Sequence, residues 1–207
     1  VDTTSELRRL VEKGCNYIWA NITCAQTAVI IKDFYRLGLR DKGIQLICQV
    51  YSQSEKTTEL CPPETLEGVW LITTHAWLWE GTPICNLMKE MHRSRTEKEL
   101  TMEDAFLGWV WATTATGGIL KTIENVGIDH LTPKAFKDAL CQAPFVFEEK
   151  PPWAGGPIKW SETDHVGNHN YRFWTFHNGK WEPLTDWKEM ESLLPEYLEK
   201  TGWKPKS

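Results

Sequence analysis

The run Gly14-Cys15-Asn16-Tyr17-Ile18-Trp19-Ala20-Asn21-Ile22-Thr23-Cys24-Ala25 decides how the rest of the chain is read. Tyr17 to Ala20 is a short apolar stretch with the length of a buried strand, and residues 25–37 follow as a helix that Gly38 ends. Toward the amino terminus, Gly14 stops a short amphipathic helix in which Leu7, Leu10 and Val11 recur at helical spacing, and Thr3-Thr4-Ser5-Glu6 has the form of a capping box. Toward the carboxy terminus, residues 44–50 form a second apolar strand. A polar, Pro-containing loop over 52–63 then leads to a third strand, Gly68-Val69-Trp70-Leu71-Ile72. Helix, strand, helix, strand, loop, strand is the order of an α/β fold with a parallel sheet.

With 207 residues, 41% of them hydrophobic, the chain can bury a substantial core as one large domain or two small ones. A formal net charge of -5 and the absence of a basic cluster argue against nucleic acid as a partner, because phosphate contacts require grouped Lys and Arg. No apolar run approaches the roughly 20 residues that span a bilayer. The start, Val1-Asp2-Thr3-Thr4, has no initiator Met and no signal-peptide pattern, as expected of a processed or trimmed protein or a piece of a longer one. Six cysteines lie far apart with no C-x-x-C pair, and Cys15 and Cys48, at strand candidates, are expected to be small buried hydrophobes. Twelve Trp residues are many for this length; Trp19, Trp70, Trp109 and Trp111 fall in apolar runs and are expected in the core.

Beyond Thr73 the pattern becomes mostly helical. A helix is expected over 101–126, stopped by Gly127, and another from Thr132-Pro133 to about Gln142. A loop rich in Pro and Gly covers 147–157. Short strands are expected at 158–160 and 171–176, then the turn Asn178-Gly179, a strand partner at 180–184, and a terminal helix over 186–199 interrupted near Pro195. The stretch from Phe106 to Ile123 is apolar around most of its circumference and requires a cover.

A parallel sheet gathers the loops at the carboxyl ends of its strands on one edge, where ligands bind. Here those loops are Asn21-Ile22-Thr23-Cys24, Tyr51-Ser52-Gln53-Ser54 and Thr73-Thr74-His75-Ala76-Trp77. They offer amides, hydroxyls, a phenol and an indole, which suit a small solute. The expected ligand-binding residues are Asn21, Thr23, Tyr51, Ser52 and Trp77. Thr23 and Ser54 are equally natural helix caps, and Trp77 and Trp79 could serve as pocket wall or as hinge packing. No nucleophile–base pair, nucleophile elbow, phosphate loop or H-E-x-x-H motif is present, so no catalytic residue and no cofactor is expected. Cys24 lies on the ligand edge without a base fixed by spacing. Asp164-His165-Val166-Gly167-Asn168-His169 places two His four apart, but Gly167 and Asn168 make the segment a turn rather than a helical metal site.

The segments Leu7-Arg8-Arg9-Leu10, Gly14 to Trp19, Ala25-Gln26-Thr27-Ala28, Leu37-Gly38-Leu39 and Leu66-Glu67-Gly68-Val69-Trp70 resemble, in order and spacing, the type I periplasmic binding proteins of the branched-chain amino-acid transport class. So do Gly155-Gly156-Pro157-Ile158-Lys159-Trp160, Asp164 to Gly167 and Phe176-His177-Asn178-Gly179-Lys180-Trp181. The resemblance covers nearly the whole chain, and since members are about twice as long, it implies the carboxy-terminal half of two Rossmann-like lobes. Residues 1–74 and 175–207 would then belong to the second lobe and 75–174 to the first. It also implies an extracytoplasmic, periplasmic solute receptor that delivers its ligand to an ABC transporter permease, with the amino-terminal half or a second copy of the chain as a further partner. A ligand-sensing domain of a signalling protein shares the implied fold, and an α/β hydrolase or transferase is a third class. Asn21 and Thr23 match the family's ligand-facing loop. Tyr51 stands where the amino-acid binders carry a carboxylate for the ligand's ammonium, a departure that points to a neutral, hydrogen-bonding or aromatic solute, since a phenol cannot balance a buried positive charge.

Overall fold

The computed structural model describes residues 2–52, 55–100, 104–142, 158 and 160–190. Helix α1 (Thr4–Glu12) leads into β1 (Tyr17–Ala20), α2 (Cys24–Arg36) and β2 (Gln45–Cys48). The short helices α3 (Glu55–Leu60) and α4 (Pro63–Leu66) then precede β3 (Trp70–Thr73). A helical segment follows, with α5 (Pro83–Thr96), α6 (Asp104–Val126) and α7 (Pro133–Cys141), before the chain returns as β4 (Asn170–His177), β5 (Lys180–Pro183) and β6 (Lys188–Glu189). The sheet order is β1-β2-β3-β4-β5. β1, β2 and β3 are parallel, whereas β4 runs antiparallel to β3 and β5 to β4.

The register sorts the strand residues onto two faces. Ile18 and Leu46 point to one side together with Ala20, Cys48, Leu71, Trp174 and Phe176. All of these are buried, in one core with Leu7, Ile31, Phe34 and Leu66 from α1, α2 and α4. Both crossovers move the same way across the sheet, so right-handed connections lay their helices on this one face. The opposite face carries Tyr17, Trp19, Ile47, Trp70, Ile72 and Phe173. Trp19 is 53% exposed, contrary to its expected core position, and so is Trp111 at 60%; alternation puts the first on the uncovered face, and the second lies on an open side of α6.

A second, smaller core joins Ala76, Leu78, Cys85, Met88 and Ile158, with Leu100, Trp109 and Val110 packed against it. α5 was not foreseen as a separate helix, yet Thr82-Pro83 has the start signal also found at Thr132-Pro133, and in both the Thr hydroxyl accepts a backbone N–H. Against α7, α6 packs at Gly118, where a Cβ would stand 2.6 Å from the Phe136 ring. Gly127, at φ +82, stops α6 as expected; the expected start at Thr101 lies outside the described residues.

Three local expectations are corrected. Thr3 does not close a capping box; its N–H and hydroxyl instead donate to Asp33 at 2.8 and 2.9 Å, because that buried carboxylate is the stronger acceptor. Ile158 and Trp160 lie in no strand; Ile158 is buried in the helical core instead. Residues 188–189, expected in a terminal helix, pair with Tyr171 and Asn170, since the longer β4 extends beyond β3 and leaves backbone groups for β6 to satisfy. The remainder of that expected helix, from 191, and the loop over 147–157 lie outside the described residues. Asn178-Gly179 does form the β4–β5 turn, with φ of 51° and 82°.

Candidate functional site

The parallel strands end at Ala20, Cys48 and Thr73, and their following loops meet on one edge. Ser52 ties the first two together. Wholly buried, its hydroxyl lies 2.8 Å from the Ala20 carbonyl and 2.7 Å from that of Ile22, donating to one at a time, and accepts the Ile22 N–H at 3.4 Å. The Thr57 hydroxyl donates to the Ser52 carbonyl at 3.0 Å, and the Cys24 thiol to the Tyr51 carbonyl at 3.6 Å. Ser52 is thus placed as a strut between loops, and the residues it braces stand on the outside. Asn21 and Thr23 are exposed, and Tyr51 is 48% exposed. Thr23 stands at the N-cap position just before α2 without a side-chain capping bond; its hydroxyl bonds the Gln26 side chain.

Trp77 is placed differently. It is buried, stacked on Trp79 with ring centroids 4.4 Å apart and planes 10° apart, and among the described residues its indole N–H has no acceptor. Trp79 is the indole that reaches solvent, at 43% exposure, and it meets Trp174 edge to face at 6.2 Å. Spacing does not separate the two residues, because only the turn of backbone at Leu78–Glu80 decides which ring faces inward.

The resemblance implies that the chain crosses between segments near Thr73 to Trp77 and Asn170 to Trp174, but the contacts that join the sheet to the helical segment there are not legible in the sequence. Glu80 accepts the Trp77 N–H at 2.7 Å and pairs with Arg172 at 2.9 Å, both carboxylate and guanidinium being mostly buried. Arg172 also donates to the Thr185 carbonyl at 3.1 Å and lies over the rings of Trp174 and Trp187. Asn168 donates to the Thr74 carbonyl at 2.7 Å and the Trp174 indole N–H to the Thr73 hydroxyl at 3.0 Å. The points where the chain leaves and rejoins the sheet are therefore cross-linked by three contacts between residues more than ninety positions apart.

Among the described residues of this edge, no side chain resembles an activated nucleophile. Burial pushes the Cys48 thiol up to about 12, so it remains protonated. The Asp164–His169 pair, 2.9 Å apart, closes an irregular turn in which Gly167 takes φ +77 and leaves no room for a Cβ beside Trp160. Among the described residues no three His, Cys, Asp or Glu side chains are grouped to hold a metal.

The profile of the periplasmic binding proteins matches residues 1–180. The chain belongs to that family. No curated protein matches it in sequence. Among solved structures, a branched-chain amino-acid ABC transporter protein from Thermus thermophilus with bound valine superposes with a TM-score of 0.75 at 24% identity, over 95% of this chain and 51% of its own. A leucine-binding protein from Thermotoga maritima gives 0.62 at 17%, over 89% and 48%. An ABC transporter solute-binding protein from R. palustris in complex with benzoate gives 0.62 at 17%, over 93% and 49%. These likenesses establish the type I periplasmic binding protein fold. The chain spans about half the length of the structures it matches.

Proposed function

We propose that this chain is part of the extracytoplasmic solute receptor of an ABC transporter, which captures a small molecule and presents it to a membrane permease. The observation that carries the reading is the parallel-strand edge, where Asn21, Thr23 and Tyr51 stand exposed on loops fixed by the buried Ser52 hydroxyl. A rigid platform with outward amide, hydroxyl and phenol groups suits capture without chemistry, because it orients a ligand and supplies no nucleophile.

The presence of two hydrophobic cores supports two lobes, with 1–74 and 175–207 expected in one and 75–174 in the other, although Trp77 and Trp174 pack in the core of the sheet. On this reading the cross-linked junction around Glu80 and Arg172 is the hinge, and Trp79, beside it, is a wall of the cleft. Tyr51 in place of a carboxylate favours a neutral or aromatic amino-acid-like or amide solute over one that relies on its ammonium. A cleft built from both lobes needs loops from the rest of the protein as well, so the 207-residue chain by itself binds weakly.

The test is a thermal-shift and calorimetric panel of amino acids, amides and aromatic carboxylates on the complete protein. One class should raise the melting temperature and bind with a single site, and Tyr51→Phe should weaken that binding by about 1–3 kcal/mol. Affinity unchanged in Tyr51→Phe removes Tyr51 from the site; turnover of a bound amide or ester, seen by mass spectrometry, refutes a purely binding role.

A further inference from the structure

Helices α5 and α6 line a cavity of about 360 Å³ in the helical segment, and it shares no residue with the parallel-strand edge. Each helix contributes one stripe at i, i+3, i+4 and i+7 spacing. On α5 the stripe is Met88, Met91, His92 and Arg95; on α6 it is Ala105, Gly108, Trp109 and Ala112. Three of the four α6 residues are small, so the groove stays open where larger side chains would close it. At Gly108 an added Cβ would meet no atom within 4 Å, in contrast to Gly118, where the Phe136 ring fills the space. Glycine is unfavourable inside a helix, and no close approach requires it at 108. What it preserves there is open volume.

The lining sorts by chemistry from one end to the other. Met88 is buried in the second core, Met91 is half-buried beside it, and Trp109 packs against the same core as a flat apolar wall. Thioether side chains are flexible and polarizable, which suits an apolar chain without a fixed shape. Arg95 is exposed in the last turn of α5, about 10 Å along the helix axis from Met88. Its neighbour Arg93 pairs with Glu99 at 2.7 Å, whereas Arg95 has no ion pair among the described residues. His92 stands between, and no carboxylate is among the described residues of the lining.

We propose that this groove is a small-molecule site for a medium-chain aliphatic carboxylate, with the acyl chain along Met88, Met91 and Trp109 and the carboxylate at Arg95. Charge complementarity selects the class: a guanidinium with no acidic neighbour in the lining favours an anion, and an apolar floor favours a hydrocarbon body. The cavity has the volume of a small-ligand site and a length that accepts an extended acyl chain. The site stands whether or not the parallel-strand edge captures a solute. An apolar side chain from a second copy of the protein is the competing occupant.

Methionine-methyl NMR of the complete protein, titrated with octanoate below its micellar concentration, tests the idea. Octanoate should shift the Met88 and Met91 methyl signals saturably, the two being assigned with Met88→Leu and Met91→Leu. Octanol, which lacks the charge, should bind about three- to tenfold more weakly, and acetate, which lacks the chain, should leave both signals unmoved. Arg95→Gln should weaken octanoate by the same factor as loss of the ligand's charge, and Gly108→Leu should abolish the shifts by filling the groove. An unfolding transition checks that Gly108→Leu folds; if it does not, Arg95→Gln, at an exposed position, decides alone. Methyl signals that ignore octanoate, parent-like affinity in Arg95→Gln, or octanol binding as tightly as octanoate each overturns the proposal. Shifts that grow with protein concentration in the absence of octanoate would overturn it in favour of a second copy.

Discussion

The sheet and the helical segment bury their apolar residues in different ways. On the helix-covered face of the sheet, Leu46, Leu71, Ile31 and Leu66 are wholly enclosed, each held by elements on two sides. In the helical segment α6 is apolar nearly all round, yet Trp111, Ile119 and Leu120 remain exposed while Gly118 and Thr122 are buried. On the helix-covered face of the sheet the amphipathic pattern matches its environment, whereas α6 leaves large apolar side chains exposed.

Truncation distinguishes the two most sharply. Leu71→Ala leaves a cavity in the enclosed core and should cost about 2–5 kcal/mol in denaturant unfolding, whereas Leu120→Ala should change stability by no more than about 0.5 kcal/mol. Equal losses would mean that α6 is already covered. The junction between the regions comes next. Glu80→Gln removes the charge facing Arg172 and should cost about 2 kcal/mol, with calorimetry showing whether the two cores then melt separately. A single unchanged transition would deny the pair any role in coupling them.

A smaller effect comes from Asp33. Burial opposes its ionisation, but the Thr3 N–H and hydroxyl and the Arg36 guanidinium outweigh this and hold its carboxyl below the usual range. A lowered folded-state pKa stabilises above the ordinary carboxylate value, and the stabilisation is lost as pH falls through the lowered one. Asp33→Asn should therefore destabilise the protein at neutral pH and flatten the acid limb of its stability profile. An acid limb identical to the parent's would show that the carboxylate is not linked to folding.

The same contrast explains what could be read from the chain. The strands around Ile18, Leu46 and Leu71, the stop at Gly127 and the turn at Asn178-Gly179 were legible because each is set by local periodicity or by one residue's backbone preference. The edge holding Asn21, Thr23 and Tyr51 followed from strand order alone. The strut made by Ser52, the inward turn of Trp77 beneath Trp79, and the Glu80–Arg172 pair were not legible, because each depends on a contact between distant segments or on one turn of backbone. Thr3 shows the same limit: a local capping pattern yielded to a buried carboxylate thirty residues away.

The central claim, capture of a solute at the parallel-strand edge, is tested most directly by calorimetry on the complete protein carrying Asn21→Ala and Tyr51→Phe together. Its ligand should be found first by mass spectrometry of what copurifies. The expected result is a loss of at least about tenfold in affinity, with an unchanged unfolding transition in the absence of ligand. Parent-like affinity in the double variant would place the binding site elsewhere and contradict the account.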